Sequence, residues 1–285
     1  MSHLTNYAEN ALADMARGEG LILSSSWTIH LLTAVSDSAH TKVTGTGYAP
    51  VDVLRSLDEW SGTQGPGTTL ASIGTSHRTS NNSVIDFGTG GAGGWSGPAI
   101  AVGLFDGTEL FTWANMDGRT ILEGEAFSFD PGTLIFDFGV TGGMSDYLSN
   151  ALIDLIWRAQ AYSWPANLYA AYTTTTPTNA TPGLEPGVGG YARQAIASSL
   201  SGWTPTQGGL VTDASSGTGG RIGNQAAVVF PEPTANQGVA THGELWDAAA
   251  GGNMMFWRAL AGAKSIVAGG PPPTFASDSI GITWA

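Results

Sequence analysis

At 285 residues the chain has room for two domains of ordinary size, each able to bury a core, and 23 acids against 10 bases leave a formal net charge of −13. That balance repels phosphate backbones, and no Lys/Arg cluster offsets it locally, which argues against a nucleic-acid partner. No run approaches the roughly 20 apolar residues of a membrane helix, Met1-Ser2-His3-Leu4 lacks the basic and apolar regions of a signal peptide, and the absence of cysteine removes disulfides, thiolate metal sites and cysteine nucleophiles together. The expectation is a protein made soluble in a cytoplasm, with no membrane partner.

The first predicted element is a helix that places Leu4, Tyr7, Ala8, Ala11, Leu12 and Met15 on one face. Short β-rich runs follow at 28–34, 84–87, 100–105, 110–114, 126–129 and 134–138, parted by Gly, Pro, Asn and Thr clusters. A polar stretch at 61–82 interrupts them, and loops of that length are usually functional or mobile. Gly139-Val140-Thr141-Gly142-Gly143 reads as a brief linker, with a boundary near residues 140–144. Ser145 or Asp146 then caps a second helix with Tyr147, Leu148, Ala151, Leu152, Leu155 and Ile156 in one stripe. Further strands are predicted at 167–173, 226–230, 241–246, 254–259, 273–275 and 280–284, with a second long polar stretch at 173–190. Charged residues make up only 12% of the chain against about 25% in ordinary domains, and 41 residues are glycine. This is the profile of a turn-rich protein whose surface is uncharged and polar or is covered by neighbours. Short strands without alternating helices predict a mainly β fold, built from β-sandwich or jelly-roll-like domains, each with an N-terminal helix laid against it.

The two sets of elements carry the same marks in the same order. Tyr7-x-x-Asn10-Ala11-Leu12-x-Asp14 returns as Tyr147-x-x-Asn150-Ala151-Leu152-x-Asp154, and Trp60-x-x-Thr63-Gln64-Gly65 as Trp203-x-x-Thr206-Gln207-Gly208. Gly47-Tyr48-Ala49 pairs with Gly190-Tyr191-Ala192, Leu104-Phe105-Asp106 with Leu245-Trp246-Asp247, and Trp113 with Trp257. A spacing of one domain length reads as a tandem duplication rather than a solenoid, whose repeats run roughly 20 to 50 residues. The expected domains are 1–140 and 144–285.

Catalytic constellations are weak. Gly88-x-Gly90-x-x-Gly93 follows a strand-like run, but Gly94-Trp95-Ser96-Gly97-Pro98 cannot begin the helix that gives a dinucleotide fingerprint its meaning. His3, His30, His40, His77 and His242 show no metal-binding spacing, and no Gly-x-Ser-x-Gly elbow is present. Asp58-Glu59, Glu123-x-Glu125 and Asp106-x-x-Glu109 could flank a sugar, although acids in turns are usually only solvated. Asp106 and Asp247 each follow Leu-aromatic: a calcium ligand is one reading, an Asx turn closing a hairpin the better one. No catalytic, cofactor or metal residue is therefore assigned. Among the tryptophans, Trp60, Trp203, Trp113 and Trp257 mark repeat positions and suit a core. Trp27, Trp95 and Trp164 fall in irregular segments and are the candidate interface or glycan contacts.

The helix at 147–152, the strand Asn167-Leu168-Tyr169-Ala170-Ala171-Tyr172-Thr173, then Gly189-Gly190-Tyr191-Ala192-Arg193-Gln194 and His242-Gly243-Glu244-Leu245-Trp246-Asp247, carry a resemblance. The second half resembles the tailed-bacteriophage minor virion structural proteins, commonly labelled tail-fibre-like. The first half keeps part of the pattern: Gly47-Tyr48-Ala49 lacks the Arg-Gln that follows Ala192. The resemblance implies a non-enzymatic virion protein that needs no cofactor. A duplicated β domain assembled as a trimer would offer six similar units around a threefold axis, which suits a capsid decoration or cement protein on the outer head surface, bound to the major capsid protein or other virion proteins. A tail fibre or tail-tip protein binding a host receptor or glycan is the alternative.

Overall fold

The structure, a computed structural model, describes residues 2–138 and 143–284; of the predicted linker at 139–143, residues 139–142 lie outside the described residues. The first half contains β1 (Ser2–Leu4), α1 (Asn6–Ala16), β2 (Ser26–Val35), β3 (His40–Lys42), β4 (Val51–Leu54), β5 (Arg78–Ser80), β6 (Ile85–Thr89), β7 (Ala99–Asp106), β8 (Glu109–Arg119), β9 (Ala126–Phe129) and β10 (Ile135–Asp137). The second contains α2 (Asp146–Arg158), β11 (Asn167–Thr173), β12 (Gln194–Ala197), β13 (Arg221–Gly223), β14 (Val228–Val229), β15 (Gly238–Trp246), β16 (Met254–Ile266), β17 (Thr274–Phe275) and β18 (Gly281–Thr283). The fold is mainly β, and every strand pair among the described residues is antiparallel.

Most pairings of one half have a counterpart in the other, β3 having none among the described residues. A larger sheet runs β1-β8-β7-β2-β3 with β4 also on β2, and its counterpart runs β12-β11-β15-β16. Two-stranded sheets pair β10 with β5 and β6 with β9 in the first half, and β13 with β18 and β14 with β17 in the second. Strand β1 is matched by a bridge between Met144 and Phe256, in the same place relative to α2 that the Leu4 pairing with Thr112 occupies relative to α1.

Period two decides which side chains enter the core. Trp27, Ile29 and Leu31 on β2 join the main cluster, while Leu32, pointing to the opposite face of the same strand, joins Ala101, Phe105, Leu110 and Trp113 on the outer face. His30 and His40 cover Phe105 edge-on at 5.0 and 4.9 Å, with the Lys42 ammonium 4.1 Å from its centroid. Burial and that ammonium push the His30 imidazole down to about 4. The main cluster itself is continuous, running from Leu4 to Trp284 through both halves.

Thr5 and Ser145 cap the helices, each accepting a backbone N–H three residues on, from Ala8 at 3.3 Å and Leu148 at 3.1 Å. The buried positions differ from a single stripe. Tyr7 and Tyr147 are exposed, Leu4 belongs to β1, and Ala13, Ala16, Ile153 and Trp157 are buried instead. Each helix is covered on two sides, by its own sheet and by the opposite half, and one-sided periodicity describes only the first of these.

Both helices end through a left-handed residue, Gly18 at φ 89° and Ala159 at φ 52°. Gly18 has no alternative, since a Cβ there would lie 2.2 Å from the Ser198 carbonyl oxygen. Ala159 pays the left-handed penalty that glycine avoids. Ala159→Gly is expected to raise unfolding stability by about 1 kcal/mol, read from urea denaturation; no gain would mean that the unfolded-state entropy of glycine cancels it.

Candidate functional site

The most highly organised polar structure lies where each helix meets the opposite half. Arg158 and Arg17 are buried completely or nearly so. The Arg158 Nε donates to the Trp60 carbonyl at 3.0 Å, and the Arg17 Nε to the Trp203 carbonyl at 3.1 Å. Each Nη1 pairs with an aspartate on its own helix, Asp154 at 2.6 Å and Asp14 at 2.8 Å, and reaches a serine of the other half, Ser72 at 3.2 Å and Ser215 at 3.3 Å. The aspartates receive the backbone N–H of those same serines, both at 2.9 Å. One turn earlier, the Thr63 hydroxyl donates to the side-chain Oδ1 of Asn150 and the Thr206 hydroxyl to that of Asn10. Each hydroxyl in turn accepts an N–H, from Gly74 at 2.7 Å and Gly217 at 2.8 Å. Two charge-assisted clasps of matching composition thus hold the halves together.

The clasps absorb the polar stretch at 61–82, which the length of the segment marks as a contact loop. Part of it is strand β5, and its backbone receives α2. The stretch at 173–190 is likewise tied to its own half, through Gly183 N–H on the Glu244 carboxylate at 2.7 Å and Asn179 accepting the Trp257 indole N–H at 3.0 Å. Burial raises the Glu244 carboxyl above the usual range, against the pull of that N–H and of the Trp246 indole.

The arrangement is not identical on both sides. His77, at φ 55°, places Nε2 2.9 Å from Asp146 across the interface; the second half has Gly220 at the matching point, also left-handed at φ 54°. A Cβ on Gly220 would lie 2.9 Å from the Glu9 carboxylate, so Glu9 of α1 is pressed against the second half. Burial, with Asp37 nearby, pushes Glu9 up to about 7. Its folded pKa is raised, so its contribution favours folding below the unfolded carboxyl range and is lost as pH climbs through 7. Glu9→Gln is expected to stabilise the protein at pH 8 by roughly 2 kcal/mol and to change nothing at pH 4, measured by urea titration at both values. A pH-independent difference would remove the ionisation account.

Of the three tryptophans picked as contacts, two are interior. Trp27 is wholly buried within β2, tilted against Phe111 at 5.1 Å with the Arg55 guanidinium 5.6 Å from its ring. Trp95 is 5% exposed and packs edge-on to Tyr48 at 5.1 Å. They offer no ring face to a partner. Trp164 is half-buried beside Tyr162 and Trp284. Trp60 and Trp203 are wholly buried.

The segment 91–98 after Gly88-x-Gly90 forms turns, not a helix. Asp247 closes its hairpin loop by accepting the Asn253 N–H at 2.6 Å, whereas Asp106 accepts the Ser24 N–H at 2.8 Å and the Tyr7 hydroxyl at 3.0 Å. Glu125 accepts the Leu122 N–H within a turn. Among the described residues no group of three or more His, Asp or Glu converges as a metal site would. A cavity of about 840 Å³ opens between β16 and β18, lined by Met144, Phe256, Leu260, Phe275 and Trp284 among others.

The described residues form a mainly β body with two short helices, and side-chain contacts between the halves make up its most organised polar structure. Residues 143–283 match the family Gp80, described as podophage GP4 fiber I protein gp80. That half of the chain is similar to this family, which supports a virion-associated structural protein of a tailed bacteriophage, fibre-like. No curated protein matches the sequence.

Proposed function

We propose that the chain is a non-enzymatic component of the tail fibre, a compact module that joins or terminates the fibre rather than forming its shaft. The match of residues 143–283 to a podophage fibre family carries this reading. The two helices support the compact role: at 11 and 13 residues they are too short for the three or four heptads a coiled-coil shaft needs. Decoration of the head, bound to the major capsid protein, draws on the same uncharged surface but has no family description behind it. Gold labelling of purified particles with an antibody to this chain separates the two by electron microscopy. Label on the tail fibres is the expected result. Label spread over the head would replace the fibre role with decoration, and a protein missing from purified particles would end both.

A further inference from the structure

The two clasps are reciprocal. Asn10 of the first half meets Thr206 of the second, and Asn150 of the second meets Thr63 of the first. Asp14 and Arg17 hold Ser215 and the Trp203 carbonyl, while Asp154 and Arg158 hold Ser72 and the Trp60 carbonyl. In a two-fold interface, if residue i touches j then the partner's j touches i, and these four marks obey that relation once matching positions of the halves are equated. Across the interface Trp157 of α2 also lies edge-on to Phe138 of the first half at 5.3 Å, and within each half the segments that form the slot are closed in the same way, the Trp284 N–H bonding the Gly220 carbonyl as the Phe138 N–H bonds that of His77.

We propose that the surface joining the halves is a dimerisation surface folded into one chain, and that each half recognises a second copy of its own kind. The slot on either half takes the helix of either half. The slot is formed by a tryptophan carbonyl, a threonine hydroxyl and a serine N–H; the helix presents Asn, Asp and Arg on one side. Every donor and acceptor needed for a second-half pair is present within the second half alone: Asn150, Asp154 and Arg158 on the helix, and Thr206, Ser215 and the Trp203 carbonyl in the slot. The duplication of residues 1–140 and 144–285 then has a physical reason, since fusion fixes two units that already associated.

The test begins with the intact chain. Replacing residues 5–15 by the sequence of residues 145–155, with Arg17 and Gly18 kept, offers the second-half slot the Asn and Asp of its own helix. The variant is expected to remain a monomer with Tm within about 5 °C of the parent. Because Ile153 is bulkier than the Ala13 it displaces, a second measurement accompanies it. A protease site placed in 139–142 is cleaved after folding, and the nicked protein is unfolded, refolded and weighed by native mass spectrometry. Pairs of like halves beside the unlike pair are expected. A folded transplant or the presence of like pairs sustains the proposal; a transplant that does not fold, together with only unlike pairs or free halves, overturns it.

Discussion

Arg158→Ala is expected to lower unfolding stability by about 3–5 kcal/mol, the range for removing one partner of a buried ion pair. The charge it leaves behind is Asp154, which is 9% exposed and would retain only the Ser72 hydroxyl and N–H. The Trp60 and Leu70 carbonyls would lose their donors as well. Arg17→Ala should fall in the same range, since Asp14, Ser215 and the Trp203 carbonyl stand in the same relation to it. Arg78→Ala provides the comparison: its pair with Asp137 has the arginine side chain 59% exposed, and such pairs are worth about 0–1 kcal/mol. Urea denaturation of the three variants gives the ordering. A loss at Arg158 no larger than that at Arg78 would show that the clasp is occupied without holding the halves together. The double variant lacking both Asp154 and Arg158 should cost less than the sum of the single ones, because the second removal relieves a charge stranded by the first.

The marks that form the clasps were visible as repeats, but their partners were not. A tandem pattern equates Asn10 with Asn150 and Thr63 with Thr206; the interface instead joins Asn10 to Thr206 and Asn150 to Thr63. Nothing in periodicity distinguishes contact within a half from contact across halves. The arginines were harder still, because α1 separates Asp14 from Arg17 by three residues and α2 separates Asp154 from Arg158 by four, which breaks the register that aligns the aspartates. A cation in a last helical turn also ordinarily signals a favourable dipole contact at the surface. The available clue was that an arginine is the last residue of α2 and directly follows the last of α1 in a chain with only 10 bases. Among strands, β11 matches its predicted range, while β1, β3, β4, β5, β12 and β13 went unread. Each has three or four residues, too few for alternation to rise above the loops around it. Trp27 was misplaced for a related reason: β2 begins at Ser26, two residues before hydrophobic alternation declares it.

Trp157→Ala is expected to cost about 3–5 kcal/mol, the usual range for truncating a buried tryptophan, and to lower Tm by roughly 10 °C for a chain of this size. The side chain is 2% exposed and belongs to α2, yet the rings it packs on, Phe136 at 6.1 Å and Phe138 at 5.3 Å, belong to the first half. The cavity would open between the halves, where neither sheet can collapse into it without breaking the Arg158 contacts one residue away. Both halves share one hydrophobic cluster, so the loss should appear as a single transition displaced as a whole. Tryptophan fluorescence and far-ultraviolet circular dichroism would then give coincident midpoints in the parent and the variant. Two separated transitions, with only one moved by the substitution, would show that the halves unfold independently and that the shared core carries little of their stability. A single displaced transition would mean that the chain resists unfolding as one body, with the reciprocal helices as the joint through which each half depends on the other.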